Sequence, residues 1–399
     1  MRPTLRRRIC LTLAITLVLA AAHSTGQPAG DAASQRKTAL TLEQQGKNAE
    51  AEAVWRLYLK AHPSNPEPYA HLGLLEVHQQ HYAEAVRLYR KALEVGPPMP
   101  SVRLNLGLAL FKSGDYTGAI AEFEPLLKSQ PDNLQLTTLI GMAHYQLAAY
   151  AQAVPYLRKA AALDTRNMPL RLALAHSCLW SGQYQCVVDT SKEILSMNAE
   201  SAEADMLVGE ALDGMKDRNG AIAQFRAALK VNPRTPDAHF SLGYLLWTLK
   251  QFPEAASEFQ AELDNNPNHA QAMTYLADVD LQTGHDEAAL PLLEKAIKLN
   301  SELELVHLDL GILYAGAGRQ DDALREMKEA ERLDPADVNV HWRLGRLYRT
   351  MGKKDESKTE FDKASQINKM ANDSLLGKID RDRAHPPQAQ PPAPESPEK

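Results

Sequence analysis

Residues 242–267, LGYLLWTLKQFPEAASEFQAELDNNP, decide the fold because their pattern of small and large residues recurs along almost the whole chain. In this stretch the small residues Gly243 and Ala255 are followed by the large Phe259. The glycine position returns at one fixed interval or at twice that interval, with alanine in the remaining places: Gly73, Gly107, Gly141, Gly209, Gly243, Gly311 and Gly345, with Ala39, Ala175 and Ala277. Ten 34-residue units therefore fit residues 32–371 without an insertion, and each position is numbered from the start of its own unit.

Each unit has the apolar spacing of two helices. In residues 71–98, HLGLLEVHQQHYAEAVRLYRKALEVGPP, apolar residues recur at helical spacing on both sides of the polar break QQHY, which predicts two helices joined by a tight turn. Small residues such as Gly73 and Ala85 allow two helix axes to approach closely, and larger residues fill the space beside the crossing. One such hairpin has too little apolar surface to fold alone, so we expect neighbouring hairpins to stack.

The composition agrees with an all-helical protein. Of 399 residues, 44% are hydrophobic but only 6% are aromatic, and the helix-favouring Ala, Leu, Glu, Lys and Gln dominate. The formal net charge is −6. Because nucleic-acid binding requires a basic surface that neutralises phosphates, we expect no nucleic-acid partner.

The repeated residues resemble the tetratricopeptide repeat family, whose 34-residue unit carries Leu-Gly, Tyr, Ala, Phe, Ala and Pro at fixed places. Residues 242–267 and 344–364 (LGRLYRTMGKKDESKTEFDKA) match this pattern well. Position 4 is seldom aromatic here, with Tyr69 as the exception, and the closing proline is missing from four units. The resemblance implies a right-handed superhelical α-solenoid of about ten helix-turn-helix repeats.

The resemblance also implies recognition rather than catalysis. In this family the first helix of each pair lines an inner groove that binds extended peptides or helices of other proteins. Too few residues remain outside the repeats for a catalytic domain, and the sequence has no phosphate-binding glycine loop, no G-x-S-x-G and no H-E-x-x-H. We therefore expect a non-catalytic protein-interaction scaffold without a cofactor.

The groove positions carry aromatic and charged residues. The resemblance places there the partner-binding candidates Trp180, Phe240, Tyr244, Trp247, Glu210, Asp213, Asp278, Arg343, Arg346 and Arg349, together with Phe111, Tyr145, Leu179, Glu203 and Asp309. Exposed aromatic rings are usual in binding hot spots, so we expect a protein partner on this surface. Two alternatives stay open: the rings would also serve as platforms for carbohydrate or another envelope polymer, or some of them would pack between adjacent hairpins.

Three histidines share one hairpin. His71 and His78 are seven positions apart on one helix face, a spacing that suits two metal ligands, and His81 follows in the turn. Because no carboxylates are obvious near them, we favour solvent-facing histidines and predict no metal site.

The two ends of the chain differ from the repeats. Residues 1–22 combine four arginines, an apolar run of about 14 residues and an A-x-A cleavage pattern, which predict a secretory signal peptide followed by a short linker at 23–31. We therefore expect an exported protein, periplasmic or secreted, that meets a membrane only if this segment stays uncleaved. After the repeats, residues 372–384 predict a capping helix, and six prolines in 385–399 predict an extended, disordered tail.

Two cysteines lie in the fifth unit, which is also the unit that departs most from the pattern. Cys178 is at position 11, where other units carry Leu or Tyr, so it is predicted to face the interior. Cys186 is at position 19, where other units are mostly acidic, so it is predicted to face solvent and to point away from Cys178. A disulfide stays an alternative because the predicted mature chain has an even number of cysteines and is exported.

Overall fold

The computed structural model describes residues 29–384, with side chains over 31–372, and the secondary structure of this range is entirely helical. The signal peptide predicted at 1–22 and the tail predicted at 385–399 lie outside the described residues. In the described range, no helix has both the length and the apolar character needed to cross a membrane.

The chain divides into two compact units, with the boundary between Ala149 and Tyr150. Over the described residues the first unit contains seven helices: α1 (Ala29–Gln44), α2 (Asn48–Ala61), α3 (Pro66–His78), α4 (Tyr82–Val95), α5 (Pro100–Ser113), α6 (Tyr116–Ser129) and α7 (Leu134–Gln146). The helices pack as hairpins (α1 on α2, α3 on α4, α5 on α6), and each hairpin packs on the next.

The second unit continues the same order. Its described helices are α8 (Tyr150–Leu163), α9 (Met168–Trp180), α10 (Tyr184–Met197), α11 (Ala202–Gly214), α12 (Arg218–Val231), α13 (Ala238–Thr248), α14 (Phe252–Asn265), α15 (Ala270–Thr283), α16 (Asp286–Leu299), α17 (Glu304–Gly316), α18 (Gln320–Leu333), α19 (Val338–Thr350) and α20 (Lys354–Ala384). From α9 onward, each odd-numbered helix packs on the even-numbered helix that follows it. The prediction of two helices in each 34-residue repeat is therefore confirmed, with odd numbers for first helices and even numbers for second helices.

Two predicted boundaries differ from the structure. Helix α1 begins at Ala29, so the end of the predicted linker 23–31 is helical. Residues 372–384 are not a separate capping helix, because α20 runs without a break from Lys354 to Ala384. The second helices of the other nine repeats all end at position 30, with or without a closing proline, where the chain turns into the next first helix; within the described residues no further helix follows α20.

Close helix crossings explain the small residues. A Cβ atom added to Gly243 would lie 2.8 Å from Cε1 of Phe259, and one added to Gly73 would lie 2.7 Å from Cε1 of Tyr89. Both rings are fully buried. At these glycine-containing crossings the first helix therefore has no room for a Cβ at position 8 unless the large residue of the second helix moves, which agrees with the small residues of the sequence pattern.

The turn inside each repeat uses one left-handed residue at position 15. Six repeats have glycine there, with φ from 72° to 86°. The other four have Gln80, Ala148, Lys216 and Lys250, with φ from 54° to 67°. A left-handed conformation is unfavourable for residues with a Cβ, so the hairpin imposes it on these four positions.

Three histidines at position 4 join parts of neighbouring repeats. His341 places Nδ1 2.7 Å from Oε2 of Glu360 in α20 and Nε2 3.0 Å from the carbonyl oxygen of Pro335, in the loop before α19. His239 and His307 make the equivalent pairs of contacts in their own repeats. Each imidazole therefore links the second helix of its repeat to the preceding loop.

The structure corrects the prediction for the two cysteines. Cys178 is buried as expected, but Cys186 does not point away from it: the two form a disulfide between α9 and α10, with Cα atoms 5.8 Å apart. This separation is ordinary for a disulfide. The acidic residues that occupy position 19 elsewhere reach solvent through long side chains, whereas the short cysteine side chain stays at the contact between the helices.

Candidate functional site

First helices of the second unit form one surface. Helix α9 contacts α11, and α13, α15, α17 and α19 contact one another in sequence. We call the surface formed by the odd-numbered helices α9 to α19 the first-helix face. All ten residues predicted to bind a partner belong to these helices.

Four aromatic rings cluster at the middle of the first-helix face. Tyr275 in α15 lies between rings of α13, with centroids 5.4 Å from Tyr244 and 5.0 Å from Trp247, both nearly perpendicular. Phe240 lies 5.9 Å from Tyr275. All four rings are partly buried. The alternative in which rings pack between adjacent hairpins therefore applies to this cluster, since Tyr275 of the eighth repeat packs on rings of the seventh.

Asp278 is held by its neighbours within this cluster. The indole N–H of Trp247 donates to its Oδ2 at 2.6 Å, and the Gln282 amide donates to its Oδ1 at 3.2 Å. Asp278 is buried. Burial, followed by the nearby Tyr244 hydroxyl and carboxylates, raises the pKa of Tyr275 to about 12, so its phenol stays neutral.

Two further carboxyl groups on α17 lack such partners. Burial raises the pKa of Asp309 well above its usual range, and the charges of Asp278 and Glu304 add to the effect, while Arg343 opposes it. Burial also raises the pKa of Glu304 to about 7, with contributions from Asp337 and Asp334. Among the described residues, neither Oδ2 of Asp309 nor Oε1 of Glu304 has a hydrogen-bond partner.

Trp180 lies at the other end of the face, on α9. Its side chain is 52% exposed, and its ring stacks 5.1 Å from His176. Nε2 of His176 lies 3.5 Å from Oε1 of Glu203, on α11. A cleft of about 390 Å³ is lined by His176, Glu203 and the predicted Glu210. Asp213 lies in the last turn of α11, partly buried.

The tenth repeat carries the three predicted arginines. Burial lowers the pKa of Arg343, with Arg346 adding to the effect. Arg346 is exposed, and its guanidinium carbon lies 4.8 Å from the ring centroid of Trp342. The guanidinium of Arg349 lies 5.9 Å from the ring of Phe361, so it also packs on its own hairpin. Arg346 and Arg349 therefore both lie over aromatic rings of their own repeat.

A larger cleft, of about 1070 Å³, opens beside the disulfide. Second helices α8 and α10 provide most of its lining, which includes Cys186 but none of the predicted partner-binding residues. It therefore lies apart from the aromatic cluster.

The histidines considered as metal ligands are paired with carboxylates in the first unit. His71 lies 2.9 Å from Oε2 of Glu43 and stacks on Trp55, and His81 lies 3.0 Å from Oε2 of Glu76. His78 and His81 are exposed, as predicted, whereas His71 is partly buried. The carboxylates of Glu43 and Glu76 beside His71 and His81 were not foreseen from the sequence.

Two other groups in the described part of the chain bring three potential metal ligands together. In Glu331, His341 and Glu360, the carboxylates already accept from Lys328 and Lys363.

The second of these groups consists of Asp237, Glu262 and His269. There, Nδ1 of His269 accepts the backbone N–H of Ala272, so Nε2 carries the proton toward Asp237 and offers no lone pair to a metal. Both groups are accounted for by internal hydrogen bonds.

Comparison with protein families decides the classification of these repeats. The model described as tetratricopeptide repeat matches residues 36–100, 71–124, 104–167, 209–269, 247–303 and 308–368, which together make up more than half of the chain. The chain belongs to the tetratricopeptide repeat family. Proteins of this family generally act as non-catalytic protein-interaction scaffolds. Among curated proteins, no significant match is found.

Solved structures of tetratricopeptide repeat proteins are among the matches, all at low identity. The C-terminal part of a TPR repeat-containing protein from Cytophaga hutchinsonii is 15% identical, with a TM-score of 0.48, over 60% of this chain and 98% of that one. The APC/C hetero-tetramer Cut9-Hcn1 gives 12% identity and a TM-score of 0.43 over 84% and 87%. YrrB, described as a TPR protein with an unusual peptide-binding site, gives 21% and 0.38 over 47% and 97%. Identities and TM-scores this low support no inference about a ligand.

Sequence reasoning missed three residues of this tetratricopeptide repeat protein. Trp342 occupies position 5, the position of the predicted Phe240, so the repeat register was a sufficient signal for it. Tyr275 at position 6 and Glu304 at position 1 gave no such signal. They join the site only because α15 and α17 pack side by side.

Proposed function

We propose that this tetratricopeptide repeat protein is a non-catalytic scaffold that binds an extended segment of a partner protein along the first-helix face of its second unit. One observation carries the proposal: several first helices present aromatic rings together with charged groups, from Trp180 on α9 through the cluster on α13 and α15 to Trp342 on α19. Rings of this kind bury large areas at small entropic cost, which suits a binding hot spot.

The distribution of charge favours a protein partner over carbohydrate. Carboxyl groups line α11, α15 and α17, and arginines follow on α19. A polypeptide with basic and acidic side chains complements both signs, whereas a neutral sugar would use only flat, open rings. Trp180 and Trp342 are the more open rings, at 52% and 43% exposure, and they lie on helices far apart in the repeat order.

We also propose that the chain is exported. The arginine-rich apolar pattern of residues 1–22 supports this. The disulfide between Cys178 and Cys186 supports it independently, since disulfides are rare in the reducing cytosol. The proposed partner is therefore a protein of the periplasm or the extracellular space.

Affinity capture from an envelope fraction tests the proposed function. The bait is the mature protein, compared with Trp180→Ala and Trp342→Ala, because both rings are exposed and their loss should leave the fold intact. Leu299→Ala is the matched control, since Leu299 is 44% exposed but lies on the second helix α16.

We expect the tryptophan variants to lose a bound protein that the control retains. Loss of polysaccharide alone would favour the carbohydrate alternative, and equal capture by all variants would contradict the use of this face.

A further inference from the structure

Beyond the proposed function, we propose that the first-helix face contains a subsite for one basic side chain, lysine or arginine, of the bound protein segment. The subsite lies where α13, α15 and α17 adjoin. Its walls are Tyr244 and Tyr275, and its acidic groups are Asp278, Glu304 and Asp309. The inference rests on the proposed function because it names the feature by which a partner would be recognised.

Buried carboxyl oxygens without a hydrogen-bond partner are the first observation. Asp309 is 1% exposed, and its Oδ2 has no hydrogen-bond partner among the described residues. Glu304, at the start of the same helix, likewise leaves Oε1 unpaired. A buried carboxyl group without a partner is unfavourable for the folded protein, and an incoming N–H donor with a positive charge would remove that cost.

The protein does not supply the cation itself. Arg343, on α19, lies within electrostatic range of Asp309 and Asp278. Within the described residues, however, no ion pair joins them, and Nε of Arg343 is itself buried without an acceptor. The positive charge of Arg343 therefore offsets the burial of these carboxyl groups only in part.

Aromatic rings surround the same place. Tyr275 packs on Trp247, whose indole N–H donates to Asp278, and Tyr275 is in electrostatic range of Glu304 and Asp309. Its ring meets those of Tyr244 and Trp247 nearly edge-on. An ammonium or guanidinium group next to carboxylates and over aromatic faces gains both ion-pair and cation–π energy.

The spacing of the carboxyl groups favours an organic cation over a metal ion. Elsewhere in the described chain, two groups of three ligand atoms fall within 4.8 Å of one another, but Asp278, Glu304 and Asp309 do not form such a group. A divalent metal needs several oxygens converging on one point. An alkylammonium or guanidinium distributes its N–H donors and accepts a wider arrangement.

Peptide selection tests the subsite without knowledge of the natural partner. Immobilised mature protein selects binders from an unbiased library of linear peptides, and each selected peptide is then measured with its basic residues replaced by glutamine. We expect the binders to share one lysine or arginine whose replacement weakens binding about tenfold or more. Asp309→Asn is expected to bind the basic peptide no better than the glutamine form.

Two further variants keep the test interpretable. Glu304→Gln should reduce the preference for a basic residue in the same direction, should Asp309→Asn fail to fold. Asp264→Asn is the matched control, because Asp264 is exposed on the second helix α14, and it should retain the full preference.

The outcomes separate the two proposals. Peptides that need Trp180 or Trp342 but no basic residue would overturn the subsite and leave the scaffold function standing. A basic preference unchanged in Asp309→Asn and Glu304→Gln would also overturn the subsite. Failure to select any peptide that depends on the first-helix face would overturn both.

Discussion

Trp247 in the seventh repeat donates its indole N–H to Asp278 in the eighth at 2.6 Å, so a residue predicted to contact a partner also joins two repeats. Replacement by phenylalanine keeps a ring but leaves Oδ2 of a carboxylate that is 5% exposed without its donor. We expect Trp247→Phe to lower the free energy of unfolding by about 1–3 kcal/mol in urea denaturation. Trp342→Phe is the control, and an equal loss in both variants would show that the hydrogen bond contributes nothing.

The helix crossing in the seventh repeat predicts a large effect of one methyl group. Gly243→Ala would place Cβ against Phe259 and should destabilise the protein by about 1–3 kcal/mol, measured by thermal or urea unfolding. Gly316→Ala is the matched control, since that helical glycine has nothing within 4 Å of the added Cβ, and alanine there should be neutral or stabilising by up to about 1 kcal/mol. Similar values for the two variants would contradict the packing account.

The turn residue at position 15 offers a stabilising substitution. Lys250 has a φ of 59°, where glycine carries no steric penalty, so Lys250→Gly should raise the free energy of unfolding by about 1 kcal/mol. The opposite change in the next repeat, Gly284→Ala, should lower it by a similar amount, because the φ of Gly284 is 81°. If Lys250→Gly destabilises the protein, the backbone at this turn is not left-handed in solution.

The raised pKa of Glu304 predicts that the free energy of unfolding falls as pH rises. Its pKa is raised from 4.5 to about 7 in the folded protein, so the unfolded chain releases the proton first. The folded state therefore loses stability progressively between about pH 4.5 and about pH 7, the interval between the unfolded and folded pKa values of Glu304. Relative to wild type, Glu304→Gln should gain most in melting temperature above pH 7 and least near pH 4. A constant difference across this range would show that Glu304 titrates normally.

The disulfide predicts the reactivity of two thiols. In denatured but unreduced mature protein, alkylation followed by peptide mapping should find Cys178 and Cys186 unmodified, and both should react after reduction. Because the two are close in the sequence, the bond closes only a short loop, and we expect Cys178→Ser with Cys186→Ser to cost about 2 kcal/mol, near the lower end for disulfides. Labelling of either thiol without reductant would contradict the bond.

The candidate site was only partly predictable. Position in the repeat identified Trp180, Phe240 and Trp247 as residues of the first-helix face, because first and second helices alternate in a fixed order. The same reasoning did not distinguish the exposed Trp180 from the partly buried Trp247, since burial depends on which residue the next repeat brings alongside. In this case that residue is Tyr275.

The sequence by itself determined the repeat. Gly243, Ala255 and Phe259 belong to one hairpin, so their contacts are local in the chain and recur with a fixed period that can be read directly. The tertiary structure alone decided which side chains meet between helices and between hairpins: the bond from Cys178 to Cys186, and the unpaired Asp309 near Asp278. These contacts depend on the direction and length of individual side chains and on how successive repeats stack. A sequence pattern of small and large residues determines neither of these.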